Sequence, residues 1–165
     1  GEYIMMERPD ITFSDHMSIE LGGTHFELYH TPGHSPCQAC VYIPEERVAI
    51  VGDTLFVDCQ TWLHSADIAA LLKSLDFLDT LDVDSIIPGH GPVVTKDYIT
   101  IQRSFVYEWL GAVAEGIAKG WGMDECAANI SFAERFPMDI GQPEMMEYVQ
   151  RTNNMKCYQY LTNQW

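Results

Sequence analysis

The chain is poor in basic residues: 9 Lys and Arg stand against 24 Asp and Glu in 165 residues, a formal charge of −15. So acidic a surface repels phosphate backbones and anionic headgroups, so neither nucleic acid nor a membrane is an expected partner. Long hydrophobic runs are missing. Residues 48–51 form a typical apolar stretch, far below the roughly 20 residues that span a bilayer. The first residues, Gly1, Glu2, Tyr3 and Ile4, offer neither a basic start nor an apolar core, so no secretory leader is visible. A regular cysteine framework is absent as well. Cys37, Cys40, Cys59, Cys126 and Cys157 are odd in number and irregular in spacing, which argues for reduced thiols in a cytoplasmic protein. Cys37 and Cys40 form a lone C-x-x-C, and no second pair follows to complete a structural zinc site. Internal repeats, linkers and low-complexity stretches are also lacking, so residues 1–165 are expected to form a single domain.

What is present is a change of period. Hydrophobic residues make up 47% and charged residues 20% of the chain, enough apolar content for a packed core. Residues 17–21 and 24–30 alternate apolar and polar, with Gly22 and Gly23 between them as a hairpin turn. Residues 39–43 and 48–51 are two further short strands about a turn at Pro44, Glu45, Glu46 and Arg47. After Ser65, read as a helix cap, Ile68, Leu71, Leu72, Leu75, Leu78 and Leu81 follow helical spacing. A short strand at residues 85–87 stops at Pro88, and Thr95 is placed to cap a long helix. In that helix Ile101, Phe105, Trp109, Val113 and Ile117 recur every four residues until Gly120 ends it. The predicted order is β-β-β-β-α-β-α, an α+β fold over residues 11–119. A helical extension follows over residues 120–165, with a short helix at 123–129 and another from Pro143 to about Tyr160.

Three segments present a possible metal ligand at a strand end. Pro32 and Gly33 force a sharp turn that holds His34 at the sheet edge. Asp53 follows an apolar strand. His90 lies between Gly89 and Gly91, where the backbone can approach a site closely. A lone histidine beside Gly and Pro is ordinarily a turn residue, and a strand-end aspartate is ordinarily an Asx turn. Convergence of three strand ends changes that balance, because His, Asp and His suit zinc, iron or manganese.

The ordered motifs TPGHS, GDTLF and IPGHGPV resemble the later motifs of the metallo-β-lactamase-fold superfamily of hydrolases and oxidoreductases. The likeness is close over about residues 11–94 and loose in the helical tail. That fold is a duplicated β-β-β-β-α-β-α unit in a four-layer αβ/βα sandwich, and the resemblance identifies this pattern with the second unit. By the same resemblance His34 is a ligand of a first metal, Asp53 a carboxylate bridging two metals, and His90 a ligand of the second. Two divalent metals, most often zinc, about 3.5–4 Å apart would generate a bridging hydroxide and attack an ester, thioester or similar bond of a small-molecule substrate. Asp at position 53 resembles the glyoxalase-II-like branch, whereas zinc β-lactamases more often carry cysteine there. The family's HxHxDH motif is missing: His16, His25, His30 and His64 lie outside any such pattern. The resemblance therefore implies the carboxy-terminal portion of a hydrolase, with weak or partial metal occupancy and no activity without its other half. Two alternatives share the residues: an iron-dependent oxidoreductase or sulfur dioxygenase, and a non-catalytic module that pairs with a second copy. Phe56, Trp62 and His64, just after Asp53, are candidates to shape a substrate pocket.

Overall fold

A computed structural model describes residues 9–136 and 145–164. Five strands, β1 (His16–Leu21), β2 (Thr24–His30), β3 (Ala39–Ile43), β4 (Val48–Phe56) and β5 (Ser85–His90), form one sheet in the order β1-β2-β3-β4-β5. The first four pair antiparallel, and β5 pairs parallel to β4. Gly22 and Gly23 both take positive φ, at 63° and 85°, as the tightest hairpin turn requires. The parallel step needs a crossover, supplied by α1 (Ile68–Thr80).

Among the described residues four helices accompany the sheet: α1, α2 (Asp97–Ala118), α3 (Met123–Asn129) and α4 (Met146–Thr162). The apolar spacing expected for α1 buries Ile68, Leu71, Leu75 and Leu78. Ile99, Phe105, Val106, Trp109 and Val113 do the same for α2. Both sets join one core with Cys40, Ala49, Val51, Leu55 and Ile86 of the sheet. Gly120, at φ 87°, closes α2, and Trp121 N–H returns to the Gly116 carbonyl at 3.0 Å. The short helix at 123–129 is found as expected. The predicted helix start at Pro143 lies outside the described residues. Among the described residues no helix is long and apolar enough to cross a membrane.

Four boundaries stand apart from the sequence reading. Asp67, not Ser65, caps α1, accepting Ala70 N–H at 2.9 Å, while the Ser65 hydroxyl donates to the His34 carbonyl at 3.4 Å. Lys96 rather than Thr95 precedes α2, and no side chain caps it. β4 and β5 each run further than their apolar cores, to Phe56 and His90. β5 tolerates Pro88 because it is an edge strand, where a missing N–H leaves no partner unsatisfied.

The direction of the strands positions the site. Antiparallel pairing reverses β3 relative to β2 and β4 relative to β3, so β2 and β4 run the same way, and β5 runs with them. The carboxy-terminal ends of β2, β4 and β5 therefore share one edge of the sheet.

Candidate metal centre

His34 stands in the loop leaving β2. That loop is pinned to α1 by Asp67 N–H on the Gly33 carbonyl at 2.8 Å and by the Ser74 hydroxyl on the Pro32 carbonyl at 2.6 Å. A Cβ at Gly33 would lie 2.5 Å from Leu71 Cα, so only glycine lets the loop pack this closely on the helix. His34 Nδ1 lies 3.0 Å from the Trp62 carbonyl oxygen. A carbonyl can only accept, so Nδ1 carries a hydrogen, and in the neutral ring Nε2 is the lone-pair nitrogen.

Asp53 sits within β4, where the pairing with β5 is irregular between Ile50, Gly52 and Phe56. Gly52 adopts φ 52°, and the Gln38 amide lies over it while donating to the Val51 carbonyl at 3.2 Å. A break of this kind turns a side chain out of the regular alternation. Here it aims Asp53 along the sheet edge. His90 ends β5, its carbonyl accepting Val57 N–H at 2.9 Å. Its ring stacks on buried Phe56, with centroids 4.8 Å apart and planes at 14°. Gly89 makes room for the carboxylate, since a Cβ there would lie 2.0 Å from Asp53 Oδ1.

The three predicted ligands meet. His34 Nε2 is 3.3 Å from Asp53 Oδ2, and His90 Nε2 is 3.6 Å from Asp53 Oδ1. The histidines thus face different oxygens of one carboxylate. Two ligand atoms sharing a tetrahedral zinc at about 2.0–2.1 Å are roughly 3.3–3.5 Å apart, so the His34 spacing of 3.3 Å fits a nitrogen and an oxygen around a common cation and the His90 spacing of 3.6 Å lies just beyond it. On the His34 side the fit is chemical as well, because a lone-pair nitrogen facing a carboxylate oxygen is repulsive without an intervening cation or proton. Among the described residues no group of three His, Cys, Asp or Glu side chains gathers about one point. Each candidate position has two donors, one imidazole and one oxygen of Asp53. All three side chains remain partly open to solvent, at 19%, 35% and 34% exposure for His34, Asp53 and His90.

The expected pocket residues separate. Phe56 is a packing platform beneath His90 and also approaches His34, at 5.8 Å between ring centroids. Trp62 contributes its backbone to the site, and its indole lies 6.2 Å from the His64 ring. His64 is exposed and lines a cavity of about 200 Å³ with Thr152, Met155, Lys156 and Gln159 of α4. Sequence reading missed Gln38 and the Trp62 carbonyl. The first is an ordinary polar residue by sequence, and the second is a backbone atom that side-chain identity does not reveal. Of the C-x-x-C pair, Cys37 is exposed and Cys40 fully buried. Burial pushes the Cys40 thiol up to about 12. His30 ends β2, as the alternation over residues 24–30 predicts, and donates from Nε2 to the Pro36 carbonyl at 2.8 Å.

Comparison with known proteins adds to this geometry. The model of the metallo-beta-lactamase superfamily matches residues 2–90. A hydroxyacylglutathione hydrolase of Francisella tularensis subsp. novicida is 39% identical over 79 residues, covering 47% of this chain and 31% of that protein. An uncharacterized protein of Aquifex aeolicus is 44% identical over 86 residues, 50% of this chain and 41% of its own length. The chain therefore spans less than half the length of these curated relatives. Among solved structures, a metallo-beta-lactamase family protein from Thermus thermophilus superposes with a TM-score of 0.68 at 18% identity, over 94% of this chain and 50% of that one. A stereoselective inverting sec-alkylsulfatase from Pseudomonas sp. superposes with a TM-score of 0.63 at 19% identity, over 96% and 27%. At these identities the likeness is one of fold.

Proposed function

The chain belongs to the metallo-beta-lactamase superfamily, and from that membership we propose that it supplies one side of a dinuclear metal site in a hydrolase of ester, thioester or similar bonds. The observation that carries this reading is the Asp53 carboxylate held between two imidazoles, one on each oxygen. Asp53 would bridge the two positions, His34 would bind at one and His90 at the other. A divalent pair, most often zinc, would supply an acidified water and an electrophilic contact for the scissile carbonyl or related centre. The chain's own residues orient that chemistry. The Trp62 carbonyl keeps His34 Nε2 aimed at Asp53, Phe56 holds the plane of the His90 ring, and Gly89 leaves the carboxylate its place. The hydroxyacylglutathione hydrolases among its relatives favour a thioester within this range.

Two donors per position are fewer than the three protein ligands a catalytic zinc ordinarily takes. The remaining ligands are assigned here to a partner unit, an amino-terminal half bearing HxHxDH or a second copy. The sheet offers a surface for such a unit. Met17, Leu28, Val41, Ile50 and Ile87 are successive cross-strand partners in one row, and Ile43 and Val48 pair in the next. They point opposite the core residues Cys40, Ala49, Val51 and Ile86, and Ile50 and Ile87 remain 39% and 38% exposed. A row this apolar favours a packed partner over water.

The test is calorimetric titration of zinc, manganese and iron(II) into the metal-free chain, alone and with a polypeptide carrying HxHxDH. Weak binding that tightens at least tenfold with that polypeptide, and that is lost in Asp53→Asn, is the expected result. Tight stoichiometric binding by the chain alone as a monomer would refute the shared site. The same tightness in a dimer would assign the partner role to a second copy.

A further inference from the structure

The Trp62 carbonyl that holds His34 is itself held from α4. Leu63 N–H donates to Asn153 Oδ1 at 2.7 Å, and Asn153 Nδ2 donates to the Thr61 carbonyl at 2.7 Å. Asn153 is fully buried, and Thr61 and Leu63 flank Trp62 in the chain. The Leu63 N–H and the Trp62 carbonyl belong to the same planar peptide unit, pointing in opposite directions. One peptide plane is thus gripped on its N–H side by Asn153 and on its C=O side by the His34 ring. A donor engaged on one side polarises the acceptor on the other. The second amide bond fixes the preceding peptide, so both torsions of Trp62 are set by a single side chain.

We propose that Asn153 is a positioning residue for His34, locking the Nδ1–H tautomer and the aim of Nε2 through the 62–63 peptide. The role as metal ligand rests on the reading above; the tautomer itself does not. Histidines that bind metal commonly depend on a partner at the other ring nitrogen, and loss of that partner lowers affinity about 10–100-fold. Here the partner is a carbonyl whose orientation comes from a helix far along the chain. The neighbouring Asn154 is equally buried and makes a similar pair of bonds, from Trp109 Nε1 at 2.6 Å and to the Ile130 carbonyl at 2.9 Å. Its hydrogen bonds go to Trp109, Ala127 and Ile130 rather than to the 61–63 segment, so it serves as the control for plain destabilisation.

The experiment is nitrogen-15 NMR of the histidine rings in the full, metal-free chain at alkaline pH. The unaltered protein is expected to show His34 protonated at Nδ1; protonation at Nε2 would overturn the proposal without any variant. In Asn153→Ala, His34 is expected to become a tautomer mixture while His90 is unchanged. In Asn154→Ala, His34 is expected to keep its tautomer despite a lower melting temperature. Asn153→Gln, which keeps both an acceptor for Leu63 N–H and a donor for the Thr61 carbonyl without burying a charge, is expected to keep the Nδ1–H form and provides the test if the alanine variant does not fold. An unchanged tautomer in folded Asn153→Ala, an equal shift in Asn154→Ala, or a lost tautomer in folded Asn153→Gln would each refute the role. Zinc titration of the same samples is read separately. A 10–100-fold weakening in Asn153→Ala joins the two readings, whereas no zinc binding by the unaltered chain would remove the metal assignment and leave the tautomer result standing.

Discussion

A methyl group at position 89 would stand 2.0 Å from Asp53 Oδ1 and 2.7 Å from the Gly52 carbonyl carbon, so both the carboxylate and the backbone beside it must shift. Gly89→Ala is expected to displace the carboxylate, lowering stability by about 1–3 kcal/mol, as overpacking does, and weakening zinc binding at least tenfold. Urea unfolding and titration of one preparation check both effects, and unaltered binding would show the carboxylate to be movable. The thiols give a second residue-scale expectation. Cys37 is exposed, while burial drives Cys40 and Cys157 up to about 12. A thiol reagent at neutral pH should modify Cys37 quickly and the other two only on unfolding, measured by mass spectrometry of timed digests. The meeting of His34, Asp53 and His90 at one sheet edge was legible in the sequence because Gly33, Gly52 and Gly89 mark the turn and the strand ends that carry them. The pocket trio was not. Adjacency to Asp53 in the chain placed Phe56, Trp62 and His64 together, but the segment after β4 turns, leaving Phe56 under His90 and His64 against α4.

The β1–β2 hairpin carries a pH dependence of its own. Glu27 accepts from Ser18 and pairs with His16 and His25. These partners, Ser18 first and His16 next, hold its carboxyl below the ordinary 4.5. A carboxyl depressed in the folded state contributes stability that is full above its unfolded value and lost as pH falls through the folded one. The protection factors of the hairpin amides, taken relative to the intrinsic exchange rate at each pH, should therefore fall as pH drops below about 4.5, and Glu27→Gln should remove that dependence. Exchange rates across the hairpin, followed by NMR, decide it. Among the helices, Trp109 is wholly buried and donates to Asn154, so Trp109→Ala is expected to cost about 3–5 kcal/mol, read as a lower denaturation midpoint. Element existence and type were readable from period alone: the strands alternate and α1 and α2 repeat at helical spacing. The caps were not. Ser65 and Asp67 are both good capping residues, and only tertiary contact, which sends the Ser65 hydroxyl to the His34 carbonyl, decides between them.

Across the whole molecule, a strongly acidic chain presents a sheet face with a continuous apolar row. Mutual repulsion at −15 opposes pairing of copies through that face, and salt screens such repulsion within about 10 Å at 0.1 M. Self-association is expected to strengthen with added sodium chloride and to fall in Ile50→Lys, as sedimentation velocity at several concentrations would show. A monomer indifferent to both would leave an amino-terminal unit as the partner. The architecture was legible because β-β-β-β-α-β-α is written in period and turn residues, whereas the grip of α4 on the 61–63 segment joins residues 90 or more positions apart. That separation also has a meaning in time. Synthesis proceeds from the amino terminus, so His34, Asp53 and His90 emerge from the ribosome well before Asn153. On the proposed reading, a nascent chain would pass through a stage in which its nitrogen and oxygen donors are available but unaimed, and affinity would then follow the intrinsic preferences of the cations present. Geometric discrimination among metals would begin only once α4 has docked.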